Sequence, residues 1–94
     1  MSANPIKVPN RDYMARLHWR LRERLPMWVV YAPVTREYPG KWVARMHVTL
    51  PEPKPTRFVL VDASLADLRR LLPLGLTRFD RDPADVPEIE EVWL

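Results

Sequence analysis

The stretch Lys41-Trp42-Val43-Ala44-Arg45-Met46-His47-Val48-Thr49-Leu50 alternates in character for ten positions, the period of a strand with one face in a core and the other toward water. Trp42, Ala44, Met46, Val48 and Leu50 fall on one side and are expected inward, with Lys41, Val43, Arg45, His47 and Thr49 on the other. Upstream, Met27-Trp28-Val29-Val30-Tyr31 is rich in aromatic and β-branched residues and reads as a first strand. Pro33 and Pro39 bracket the turn between the two. Downstream, Pro51, Pro53 and Pro55 interleave with Glu52 and Lys54 as a stiff extended connector, because proline donates nothing to a ladder. Thr56 to Val61 resumes as a third strand, with Phe58 and Leu60 inward and Arg57 and Val59 opposite.

Helices flank these strands. Asn10 offers an N-cap and Asp12 an anion for the first turn. Tyr13, Leu17, Leu21 and Leu25 then recur every fourth residue, joined by Met14 and His18, while Arg16, Arg20 and Arg24 take the other side until Pro26. The spacing predicts a basic amphipathic helix over 10–25 that either docks on the domain or stands off as an appendage ordered by a partner. Residues 1–9, with Pro5 and Pro9 and no periodicity, are expected as a disordered or loosely attached arm.

Ser64-Leu65-Ala66-Asp67 reads as a capping box with Asp in the closing position, followed by Leu68, Leu71 and Leu72 at helical spacing. Pro73 and Gly75 turn the chain near Leu74. Leu76 to Phe79 reads as a short strand. Glu88 to Leu94, closing on Ile89, Val92 and Trp93, reads as another, although acids after Pro87 also suit a helix start. The expectation is an α+β fold in the order α-β-β-β-α-β, an antiparallel sheet of three to five strands built from sequential hairpins, with two helices on one face and a compact domain over 27–94.

Composition bounds the chemistry. A chain of 94 residues, 47% hydrophobic and 29% charged, makes one globular domain. No apolar run approaches the roughly 18 residues that span a bilayer, and the N-terminus lacks the features of a signal peptide, so a cytoplasmic protein without membrane contact is expected. The absence of cysteine removes disulfides, thiolate metal sites and cysteine nucleophiles. His18 and His47 lie on different elements, neither at ligand spacing with a second histidine or a carboxylate. Ser64 has a role as a cap, Gly40 and Gly75 assemble no phosphate loop, and Asp80, Asp82 and Asp85 lack the glycine and closing glutamate of a calcium loop. No catalytic residue, cofactor or metal is expected.

The net charge of +3 is unevenly distributed. Lys7, Arg11, Arg16, Arg20, Arg22 and Arg24 outweigh Asp12 and Glu23 at the start, whereas Arg81 alone opposes Asp80, Asp82, Asp85, Glu88, Glu90 and Glu91 at the close. The two ends can attract each other within one chain, between copies, or toward separate partners.

Trp28-Val29-Val30-Tyr31 with Pro33, then Tyr38-Pro39-Gly40-Lys41-Trp42-Val43-Ala44-Arg45, Leu72-Pro73-Leu74-Gly75-Leu76 and Glu91-Val92-Trp93 together resemble a pattern in small bacterial and prophage-type proteins of no known activity. The resemblance spans about residues 27–94 and implies a bacterial origin and a compact domain. The order of helix, three strands and helix also resembles a double-stranded-RNA-binding domain, but Asp62, Ala63, Ser64 and Asp67 stand where that family carries its basic cluster.

Two functional expectations follow. The first is a non-enzymatic module that binds a protein partner or a second copy of itself. The second is nucleic-acid binding through Arg16, Arg20 and Arg24 of the first helix and a basic sheet face of Lys41, Arg45, His47 and Arg57, where cations beside an aromatic such as Tyr31 hold phosphates and stack bases. The first is favoured because a global charge of +3 is modest for nucleic acid.

Overall fold

A computed structural model describes residues 4–94. In chain order the elements are β1 (Ile6–Lys7), α1 (Arg11–Arg20), a 3-10 turn (Arg22–Arg24), β2 (Pro26–Tyr31), β3 (Trp42–Val48), β4 (Lys54–Asp62), α2 (Leu65–Leu71), β5 (Arg78–Asp80) and β6 (Ile89–Trp93). The fold is α+β, with two helices and one six-stranded sheet in the order β1-β4-β3-β2-β6-β5. Hairpins join β2 to β3, β3 to β4 and β5 to β6, and β6 returns beside β2.

The sheet is mixed, not purely antiparallel. Of the arm expected over residues 1–9, residues 1–3 lie outside the described residues, and Ile6–Lys7 runs parallel to β4 with Ile6 opposite Phe58 and Lys7 opposite Val59. Val8 N–H continues the pairing by donating to the Val59 carbonyl at 3.0 Å. The proline connector is shorter than expected: β4 begins at Lys54 and takes in Pro55, opposite His47. A bulge between Arg45 and His47 accommodates it, the setting in which a strand tolerates proline.

Register divides the side chains. Trp28, Val30, Ala44, Met46 and Leu60 form one core cluster with Met14 and Leu17 of α1 and Leu68 and Leu72 at the end of α2. Both helices therefore cover this face, and α1 joins the core through Met14 and Leu17. Asn10 caps α1 by accepting from Tyr13 N–H, and Ser64 caps α2 by accepting from Asp67 N–H. The α1 helix ends at Arg20, earlier than its periodicity predicts. Leu25 takes a left-handed φ of 49°, and the following proline disfavours any continuation of right-handed helical geometry through it. The chain then enters β2 at once.

The opposite face carries Val29, Val43 and Val59, all buried. The loop of residues 32–41 reaches across this face. Glu37 reaches Arg45, and the Lys7 ammonium lies 5.3 Å from the centre of the Tyr38 ring, while Lys7, Val59, Arg45 and Val29 are successive cross-strand neighbours.

Candidate functional site

The basic sheet face is internally engaged. Arg45 Nη2 donates to Glu37 Oε1, and its Nη1 donates to the Thr56 carbonyl at 2.9 Å. Arg57 Nε donates to the Asn4 carbonyl at 3.0 Å. His47 Nε2 lies 3.4 Å from the Tyr31 hydroxyl. Burial and the Arg45 charge both hold its pKa below the ordinary imidazole value. Burial likewise pushes the Tyr31 hydroxyl up, with Arg45 opposing and Asp85 adding to the rise. Lys41 is exposed immediately before β3.

The other predicted cations lie elsewhere. Arg16 and Arg20 are exposed on α1, which packs on the helix-covered side, so the two predicted basic sets occupy opposite faces and form no single surface. Arg24 is half-buried and donates from Nε to the Leu50 carbonyl at 3.2 Å. Among the described residues, two acids of the chain's close are ion-paired, Glu91 with Arg69 and Arg78 and Asp80 with Arg78, and none makes an ion pair with the basic start.

Three features were not anticipated from the sequence. First, Glu91 is 1% exposed and faces α2. Arg69 grips both its oxygens, with Nε to Oε2 at 3.0 Å and Nη2 to Oε1, and Trp93 Nε1 donates to Oε2. Burial pushes the Glu91 carboxyl up, but the donors on Arg69 and Trp93 and the charges of Arg69 and Arg78 together hold it below the usual carboxylate range. It is a structural anion that locks α2 to β6. Second, the fully buried Trp28 donates from Nε1 to His18 Nε2 at 2.9 Å, which places the imidazole proton on Nδ1. Burial lowers the His18 pKa, favouring the neutral ring this bond requires. Third, a groove of about 480 Å³ runs between α1 and the connection from α2 to β5, lined by Met14, His18, Leu71, Pro73, Leu74 and Leu76 among others. The run Leu71-Leu72-Pro73-Leu74-Gly75-Leu76 carried that signal, since one short helix end cannot bury four leucines.

The end of the sheet at β5 completes the surface. Thr77 and Leu94 exchange both backbone bonds, at 2.8 and 3.0 Å. By the alternation of an antiparallel ladder, Phe79 bonds toward β6 while the peptide groups of Arg78 and Asp80 point outward. Both residues are exposed, as is Phe79, and among the described residues no strand lies beyond them.

Among the described residues no three His, Asp or Glu side chains gather as metal ligands, and no helix is long and apolar enough to cross a membrane. The chain matches no protein-family model, no curated protein and no solved structure.

Proposed function

We propose that this chain is a small non-enzymatic protein-interaction module that engages its partner by strand addition at β5. The observation that carries the reading is the outward edge: among the described residues the outward peptide groups of Arg78 and Asp80 have no strand partner, and Phe79 between them is 49% exposed. Added strands bind through main-chain hydrogen bonds, with alternate side chains supplying selectivity. The rival sheet surface is less suited to a partner, because Arg45 and Arg57 are already bonded within the chain.

Selection of extended peptides on the immobilised chain tests the proposal. The selected peptides are expected to bind the parent and to lose binding to Asp80→Pro, which removes one outward N–H and no bond of the β5–β6 ladder. Undiminished binding to Asp80→Pro, or failure to select any peptide with a chain that is also monomeric, overturns it.

A second reading, nucleic-acid binding, is supported by Arg16 and Arg20, which flank a shallow depression with Tyr13 and Leu17 on α1 and make no ion pair among the described residues. It requires binding to mixed-sequence DNA or RNA that weakens steeply with salt and weakens further in Arg16→Gln/Arg20→Gln. Absence of binding at low salt removes it.

A further inference from the structure

We infer that the strand added at β5 is β5 of a second copy of this chain, antiparallel and centred on Phe79. The inference rests on the reading of β5 as an interaction edge and names the partner. The outward groups belong to Arg78 and Asp80, and a two-fold antiparallel pairing must set outward residues opposite one another. Three registers satisfy that condition within the strand. Arg78 opposite its own copy places like cations together, and Asp80 opposite its own copy places like anions together. The remaining register sets Arg78 against Asp80 of the second copy, twice by symmetry, and opposite charges across a ladder attract where like charges repel.

The same register fixes the rest of the contact. Arg78 and Asp80 exchange N–H and C=O bonds with their counterparts, making four hydrogen bonds about the two-fold axis. Phe79 then meets Phe79 of the second copy in the non-hydrogen-bonded position, where Cα atoms approach to about 4.5 Å and side chains are closest. The half-exposed ring gains an aromatic neighbour on the side of the sheet that also carries Val92, its own cross-strand partner. Such a contact is self-complementary, as an isologous interface must be.

The opposite edge lacks these properties. β1 has two residues, Ile6 and Lys7, between Pro5 and Pro9, which offer no N–H. With only three residues in β5, the pairing lies at the small end of interfaces and forms a weak, concentration-dependent dimer.

Sedimentation equilibrium of the full chain from micromolar to millimolar concentration tests this, with a rise from monomer to dimer mass expected. Asp80→Lys, which replaces both attractive pairs by repulsive ones, is expected to weaken association about tenfold or more, and Asp80→Pro to abolish it. Register is read independently by single cysteines in this cysteine-free chain. Phe79→Cys is expected to form an intermolecular disulfide faster than Thr77→Cys or Arg81→Cys, whose counterparts sit out of register. A parent chain that stays monomeric throughout, a dimer indifferent to Asp80→Lys, or equal crosslinking at the three positions overturns the inference. If the chain is monomeric while selected peptides still bind in a manner sensitive to Asp80→Pro, self-pairing alone falls; if neither occurs, the interaction-edge reading falls with it.

Discussion

On its helix side the sheet presents Trp28, Met46 and Leu60 to Met14, Leu17, Leu68 and Leu72, whereas on its other side Val29, Val43 and Val59 lie beneath a loop tied down by Glu37 and Arg45. Both faces of the central strands are buried, by different means. Large side chains from two helices fill the first by volume. The second is a thin valine layer, and its cover is fastened at its rim by polar contacts. Each side also holds a histidine and a glutamate paired with arginine, Glu91 with Arg69 and Arg78 on the helix side and Glu37 with Arg45 on the loop side, so the two faces test how much a similar interaction contributes in a thick layer and in a thin one.

The largest difference concerns volume. Trp28→Ala is expected to cost about 3–5 kcal/mol, the range for deleting a large aromatic from a core, and it also removes the donor to His18. Val43→Ala on the loop side is expected to cost roughly 2 kcal/mol, from the two carbons removed and partial collapse of the cover. Urea unfolding measures both. Equal costs on the two faces break the distinction between a filled layer and a thin one.

Next comes the buried anion. Glu91→Gln keeps the shape but leaves the Arg69 guanidinium without its counter-charge, and breaking such a pair on one side costs up to about 3–5 kcal/mol when the remaining charge is buried. Arg69 is 36% exposed and water recovers part of the loss, so roughly 2 kcal/mol is expected. The pH dependence has a definite sign. The folded carboxyl titrates below its ordinary value of 4.5, so its contribution is complete above that pH and is lost as pH falls through the lower folded value. Acid unfolding of Glu91→Gln is therefore expected to be shallower than that of the parent, as followed by circular dichroism. An unchanged acid limb removes Glu91 as the anchor of α2.

Much of this architecture is local and was legible in the sequence. The alternation of Trp42, Ala44, Met46 and Val48 placed the inner face of β3, although Leu50, expected inward with them, is exposed beyond the end of the strand, and Asn10 and Ser64 marked the starts of both helices. What escaped was long-range. Ile6–Lys7 has no strand signal of its own and is extended because β4 supplies a ladder. Arg45 and Val43 occupy the formally outward side of β3, and nothing near them in sequence announces that the loop of residues 32–41 folds back over them. Glu91 sits in an acidic run that reads as solvated surface. Its burial depends on Arg69, 22 residues away, and on a register shift beside Val30 that makes β6 alternate irregularly. The candidate site was legible as cations but not as their partners, which is why Arg45 and Arg57 appeared available when they are bonded within the chain.

A smaller effect separates the histidines. Burial lowers the pKa of both, with Arg45 adding to the fall at His47. For a group whose folded value lies below the unfolded 6.5, the unfolded chain binds more protons, so stability is complete above that value and declines as pH falls below it. The parent is expected to lose melting temperature between neutral pH and pH of about 5, where imidazoles titrate. His18→Gln, which retains an acceptor for the Trp28 N–H, is expected to remove the helix-side share of that decline. His47→Gln is expected to remove the loop-side share. A slope untouched by either variant assigns the titration to other groups.

The smallest effect is expected at the loop fastening. Glu37→Gln removes a pair whose side chains are 41% and 18% exposed, and partly exposed ion pairs contribute about 0.2–1 kcal/mol. Arg45 keeps its bond to the Thr56 carbonyl, so the guanidinium stays placed while its charge is uncovered. Two readouts then separate stability from availability. Urea unfolding is expected to move little, and less in high salt, which screens the parent pair. Phosphate-bearing ligands are expected to gain affinity for the uncompensated Arg45, with the gain lost in Glu37→Gln/Arg45→Gln. A cost at Glu37 as large as at Glu91 means the loop, like α2, is locked by charge, and the contrast between a face closed by volume and one closed by a thin cover no longer holds.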